Sequence, residues 1–244
     1  MTTNAKVWLI SGASRGIGLA LADKILASGE RVALLARGES VHKLAAERGE
    51  NCIACQADVG NAQQVQTAIE QITEHWQRVD VVVNNAGVHR GGKISRLEND
   101  DWEQVLNTNV TGAMNTVRAA SPHLQEGAAI VNVGAVVGFR GFPGDVAYAA
   151  SKAGLAGFTR ALAIEFAERA ITVNLVIPGL VLTEMTQGLS SKALQSMQDM
   201  IPLGRYGNAD EVAEVIEWVA RSPYMTGAFV PVDGGLLSTF GMPG

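Results

Sequence analysis

Ser11-Gly12-Ala13-Ser14-Arg15-Gly16-Ile17-Gly18 is the stretch whose reading decides the fold. An apolar, strand-like run, Lys6–Ile10, leads into it, and a helical pattern, Gly16–Ser28, leads out. Glycines between a strand and a helix permit a tight turn. They also let a pyrophosphate approach the backbone at the positive end of the helix. The spacing is G-x-x-x-G-x-G rather than the commoner G-x-G-x-x-G, so the strand–turn–helix context carries the argument.

Outward from this turn the same alternation continues. Further strand-like runs fall at Arg31–Leu35, Cys52–Gln56, Val79–Val83, Ala128–Val133, Ile171–Val176 and Phe229–Val232. They are almost continuously apolar, as expected of parallel strands covered on both faces. Helical patterns lie between them at Asn61–His75, Asp100–Ala120, Ala147–Glu168 and Ala209–Ala220. The expected fold is α/β: a doubly wound, Rossmann-type parallel sheet of about seven strands with helices on both faces. With no linker or repeat, residues 1–244 read as a single domain. The stretch Thr183–Tyr206 is long, carries three methionines and separates a strand from the last helix, which suggests a substrate lid at about 183–206.

The composition narrows the function classes. The formal net charge of -5 argues against a nucleic-acid partner. No run of eighteen apolar residues argues for a membrane span, and the N-terminus lacks the features of a secretory signal, so a cytoplasmic location is expected. Cys52 and Cys55 form a lone C-x-x-C without a second ligand pair, so they read as buried thiols and no metal site is expected.

Four more motifs follow in order. Ala57-Asp58-Val59 succeeds the third strand, where a carboxylate can accept a hydrogen bond from an adenine amino group. Asn84-Asn85-Ala86-Gly87 succeeds the fourth, Tyr148-Ala149-Ala150-Ser151-Lys152 lies in a helical pattern, and Pro178-Gly179 follows the sixth strand. Together with the glycine-rich turn, these make the chain resemble the short-chain dehydrogenase/reductase family over nearly its whole length. The bacterial 3-oxoacyl-(acyl-carrier-protein) reductases are the nearest likeness.

That resemblance implies a cofactor site made of Gly12, Ser14, Arg15, Gly16, Ile17, Gly18, Arg37, Asp58, Val59, Asn85, Ala86 and Gly87. Tyr148, Lys152, Pro178, Gly179, Val181 and Thr183 complete it, the last four matching the segment that holds the nicotinamide carboxamide. Enzymes that use NAD generally place an acid after the second strand. Here Leu35-Ala36-Arg37-Gly38 has none, and Arg15 with Arg37 can clamp a 2′-phosphate, so NADP (NADPH) is expected over NAD.

The resemblance makes Tyr148 the proton donor, Lys152 its partner and holder of the nicotinamide ribose, and Asn109 the residue that steadies a relay water. An ammonium one helical turn from a phenol is expected to favour phenolate and lower its pKa from about 10. The family also places a serine thirteen residues before the tyrosine, to bind the substrate carbonyl. That position is Ala135, preceded by Gly134. The expected function is therefore an NADPH-dependent carbonyl reductase, turning a ketone or 3-oxoacyl thioester into an alcohol, crippled at residue 135. Retention of Tyr148, Lys152 and Asn109 favours an engineered serine-to-alanine exchange over natural drift. The alternative is a non-catalytic NADP-binding sensor or scaffold with the same fold.

Members that act on acyl carrier protein carry a basic cluster before the fifth strand. Here Leu124-Gln125-Glu126-Gly127 has no basic residue and Arg169 offers a single charge, so steering of the acyl carrier protein should be weak and a small ketone or 3-oxoacyl-CoA thioester remains a credible substrate. Small-residue faces that include Ala149, Ala153, Ala156 and Ala163 suggest, by the same resemblance, a homotetramer with D₂ symmetry.

Overall fold

The computed structural model describes residues 5–182 and 191–239. Its first half runs β1 (Val7–Ser11), α1 (Gly16–Ala27), β2 (Arg31–Ala36), α2 (Ser40–Ala46), β3 (Cys52–Gln56), α3 (Ala62–Trp76), β4 (Val79–Asn84) and α4 (Asn99–Leu106). The second half runs α5 (Gly112–Ala120), β5 (Leu124–Val133), α6 (Val137–Arg140), α7 (Val146–Glu165), β6 (Thr172–Pro178), α8 (Ser191–Gln198), α9 (Ala209–Ala220) and β7 (Phe229–Val232).

The strands form one seven-stranded sheet in the order β3-β2-β1-β4-β5-β6-β7. Every neighbouring pair is parallel, which is the doubly wound sheet expected from the sequence. Alternate residues of each strand feed two cores. Trp8, Ile10, Leu34 and Val83 meet Leu21 and Ile25 of α1 and Val212 and Ile216 of α9 on one face. Leu9, Leu35, Val82 and Ile130 meet Ile69 and Ile72 of α3 and Val117 of α5 on the other. Each such side chain, fully removed from water, contributes about 1.5–3 kcal/mol before chain entropy is set against it.

β2 lies to one side of β1 and β4 to the other, so the winding reverses between β1 and β4. A crevice opens at the carboxyl ends of strands at such a reversal. The glycine-rich turn after β1 sits at that point.

Two local readings differ from the sequence expectation. The helix expected over Asp100–Ala120 is broken into α4 and α5 by a π-helical turn, Asn107–Thr111. Gly112 packs there against Val59, and Asn109 is pulled toward Val88, which together displace one residue of the helix. α2 was not expected, because seven residues give too short a periodic pattern. Residues 183–190 of the suggested lid lie outside the described residues. The remainder holds α8 and a turn whose Ile201 is buried and whose Leu203 N donates to Gly234 O at 3.1 Å.

Cys52 and Cys55 are buried free thiols, and burial pushes them up to about 11 and about 12. Among the described residues no helix is long and apolar enough to cross a membrane.

Candidate active site

The crevice is a cleft of about 850 Å³ at the ends of β1, β2, β4, β5 and β6. One wall is the turn after β1: Gly12, Ser14, Arg15, Gly16 and Ile17. Its shape follows from side chains behind it. Gly12 has φ +66°, and a Cβ there would stand 2.8 Å from Ala86 Cα. Gly18 lies beneath, where a Cβ would meet Gly12 O at 2.5 Å. Asn85 Nδ2 donates to Ser11 O at 3.0 Å and to Gly12 O at 3.1 Å. Ser11 Oγ accepts from Asn85 N and Ala86 N, both at 3.1 Å. Asn85 thus braces the turn from below as well as facing the cleft.

α1 starts at Gly16 with no side-chain cap and no acidic residue in its first turn. Its positive end, exposed to the cleft through Gly16 and Ile17, is suited to an anion. At the rim Arg37 and Val59 line the same space, as do Ala86 and Gly87. Asp58 stands just outside it, with Oδ2 3.9 Å from Arg37 Nη1 and Oδ1 accepting from Gly60 N at 2.9 Å. Pro178, Gly179 and Val181 line the opposite side, whereas Thr183 lies outside the described residues.

Ala135, Tyr148 and Lys152 meet across the cleft from the glycine-rich turn. Tyr148 and Lys152 stand one turn apart on α7, with Lys152 Nζ 5.6 Å from the phenol ring centroid. Lys152 is 3 % exposed and donates to Val133 O at 2.8 Å. Burial lowers its pKa to about 8, since water no longer solvates the ammonium.

The phenol reverses the sequence expectation. Its pKa is pushed up to about 12, first by burial and then by the carboxylate of Asp145. Lys152 Nζ lies 5.6 Å from the ring centroid and is directed at Val133 O.

Ala135 lines the cleft with Tyr148. The turn that carries it rests on α7 at Gly138, where a Cβ would be 2.7 Å from Ala153 N. Neither Gly134 nor Ala135 brings a hydroxyl to the cleft. The nearby Ser151 hydroxyl does not substitute: it is fully buried, donates to Tyr148 O at 2.7 Å and accepts from Asn109 Nδ2 at 2.9 Å.

Asn109 is not among the residues that line the cleft. It is 2 % exposed in the π turn. Its Oδ1 accepts from Val88 N at 2.8 Å, and its Nδ2 donates to Val88 O at 3.0 Å as well as to Ser151. Both Nδ2 hydrogens are therefore used, while Oδ1 keeps a second lone pair. Sequence reasoning also missed Ser40 and Thr108, which line the cleft, and the contact of His89 with Tyr148. Thr108 was within reach as the neighbour of Asn109, but Ser40 depended on α2.

Arg169, considered as a docking charge, is exposed but bonded to the backbone. It donates to Ser121 O at 3.0 Å and Leu124 O at 2.7 Å, and stacks over Phe166. Ala163, assigned to the small-residue face of α7, is buried against the sheet, whereas Ala153 is exposed.

Comparison with known proteins agrees with this arrangement. A family model described as Enoyl-(Acyl carrier protein) reductase matches residues 12–237. The chain is 43% identical over 235 residues to carbonyl reductase family member 4 of Danio rerio, covering 95% of this chain and 98% of that one. It is 42% identical over 234 residues to a 3-oxoacyl-[acyl-carrier-protein] reductase of Homo sapiens, with the same 95% and 98% coverage. Among solved structures, a blue fluorescent protein from a metagenomic library, in complex with NADPH, superposes with a TM-score of 0.90 at 33% identity, covering 97% of this chain and 99% of that one. A variant of a Serratia marcescens short-chain dehydrogenase/reductase also superposes with a TM-score of 0.90, at 32% identity and with coverage of 95% and 98%. With the sheet, the glycine-rich turn and the Tyr148–Lys152 pair in the same cleft, these likenesses establish that the chain belongs to the short-chain dehydrogenase/reductase family.

Proposed function

We propose that this protein reduces the carbonyl of a ketone or 3-oxoacyl thioester to an alcohol with NADPH, and that turnover is slow because residue 135 offers no hydroxyl. The observation that carries the reading is the single cleft in which Tyr148 and Lys152 face the glycine-rich turn. Its donor set suits an anionic dinucleotide: an uncapped helix end for the pyrophosphate, a buried ammonium for a ribose, and guanidinium groups of Arg15 and Arg37 for a 2′-phosphate. The relatives' names, carbonyl reductase and 3-oxoacyl reductase, and the NADPH complex of a structural neighbour support the same assignment.

Bound NADPH would supply the hydride. The chain supplies the proton and the placement. Tyr148, held protonated at working pH by its raised pKa, gives the phenolic proton to the carbonyl oxygen as charge develops there. Lys152 is mostly ammonium at neutral pH, so its positive charge steadies the resulting phenolate. What is missing is a second donor to the oxygen. Removing one such preorganised donor costs on the order of 10²–10³ in turnover. Because Leu124-Gln125-Glu126-Gly127 brings no basic residue, a free ketone or acyl-CoA is favoured over a carrier-bound substrate.

Ala135 itself favours a second reading, a sensor or scaffold that binds NADP without turnover. NADPH oxidation with acetoacetyl-CoA and a panel of ketones, run on the parent and on Ala135→Ser, separates the two. A slow parent and a variant faster by about 10²–10³ support the reductase. Equal rates show that another donor has taken over, and silence in both despite NADPH binding supports the sensor. The same reading includes a D₂ tetramer paired through the exposed face of α7, where Ile164 is 79 % exposed; a monomeric mass in sedimentation would remove it.

A further inference from the structure

Asp145 occupies the N-cap position of α7, a 20-residue helix, yet makes no capping hydrogen bond. Aspartate is among the strongest N-cap residues, so its diversion requires a competing partner. That partner is His89, whose Nε2 lies 2.8 Å from Asp145 Oδ1. The His89 ring stands edge-to-face against Tyr148, with centroids 5.1 Å apart and planes at 83°.

The histidine is anchored on both flanks. Val88 before it is clamped by both ends of the Asn109 amide. Gly92 after it donates to Gly144 O at 2.7 Å and forms a parallel bridge with Asp145. The pair is sheltered, with side-chain exposures of 35% and 18%. No step of the proposed reduction uses it.

We propose that His89 and Asp145 are positioning residues for Tyr148: a hydrogen-bonded pair that fixes the phenol ring by its edge and keeps the Asp145 carboxylate facing the phenol. The functional meaning rests on the proposed reduction, but the pair itself does not. The Asp145 carboxylate helps to hold the phenolic proton in place. Lys152 lies 5.6 Å from the phenol centroid, Arg90 turns to Gln104 and Asp101, and Arg140 donates to Leu236 O.

The test is a pH titration of the protein labelled with [¹³Cζ]-tyrosine and followed by NMR. Tyr148, Tyr206 and Tyr224 are the three tyrosines, so Tyr148→Phe assigns the signal, and the other two resonances report an intact fold in each variant. His89→Gln should displace the Tyr148 resonance at constant pH while leaving the other two in place. Asp145→Asn should move the phenol midpoint down by about one pH unit. A Tyr148 resonance unmoved by His89→Gln, or an unchanged midpoint in Asp145→Asn, overturns the proposal. The readout needs no turnover, so a chain that reduces nothing yet shows both changes loses the proposed function and keeps the pair. An active chain that shows neither does the reverse.

Discussion

Lys152 Nζ donates to Val133 O at 2.8 Å, which ties the middle of α7 to the end of β5 at the floor of the cleft. The bond holds an ammonium where burial opposes its charge, so its pKa in the fold is about 8 against 10.5 for an ordinary lysine. Between those values the unfolded chain binds the proton and the folded chain does not, and stability rises with pH. Below about 8 both forms are charged and the full cost, on the order of 3 kcal/mol, is present. Tyr148 acts in the opposite sense: raised from 10 to about 12, it makes stability fall as pH climbs through that interval. Urea midpoints of the parent should therefore rise from about pH 8 towards 10, and Lys152→Met should lose that rise. A parent curve flat over this range would show that Lys152 is better solvated than its burial implies.

Arg37 and Asp58 face each other across the cleft rim at 3.9 Å, a separation at which an exposed pair adds little. A 2′-phosphate offers the guanidinium a better, bidentate partner. Arg37→Asp is expected to weaken NADPH binding by about 10–100-fold, or about 1.4–2.8 kcal/mol, while leaving NADH within a few-fold. Fluorescence titration of both nucleotides checks it. Equal losses for both would place Arg37 outside the 2′-phosphate site and shift selectivity to Arg15.

Tyr148→Phe keeps the ring against His89 and removes only the hydroxyl. In an Ala135→Ser background it should abolish measurable ketone reduction and change NADPH affinity less than three-fold, since general acid catalysis alone is worth about 10²–10⁴ in rate. Residual activity near that of the background would mean that the carbonyl oxygen takes its proton from elsewhere.

The sheet and most of the cleft were legible because local signals agree with tertiary need. Val7–Ile10, fully buried on both faces, reads as a parallel strand in sequence and is one. The glycines at 12 and 18 announce a turn because the close contacts with Ala86 and Gly12 exclude any side chain. What failed depended on contacts far apart in sequence. The break between α4 and α5 comes from Asn109 reaching Val88, 21 residues away, and from Val59 crowding Gly112. The sign of the Tyr148 shift was misread because the i,i+4 lysine is visible in sequence, whereas the depth of burial and the side on which Asp145 lies are not. Arg169 is the surface charge it looked like, but its carbonyl partners at 121 and 124, 48 and 45 residues away, were not legible.

Asn109 makes three hydrogen bonds, two to the backbone of Val88 and one to Ser151, whose own hydroxyl donates to the Tyr148 carbonyl. Truncation to alanine leaves a partly buried N–H and a partly buried C=O at Val88 without their side-chain partners, each costing about 1–2 kcal/mol. Asn109→Ala is therefore expected to lower unfolding stability by about 2–4 kcal/mol, measured from urea midpoints. Asn109→Asp discriminates further. It keeps the acceptor for Val88 N but turns the donor facing Val88 O into a second acceptor, so at neutral pH it should destabilise about as much as alanine, and protonation at low pH should recover part of the loss. A side chain that only steadied a water would leave stability nearly unchanged in both variants and show its effect in turnover. Loss of stability together with a displaced Tyr148 resonance would instead fix Asn109 as the clamp that holds the His89 loop against the active tyrosine.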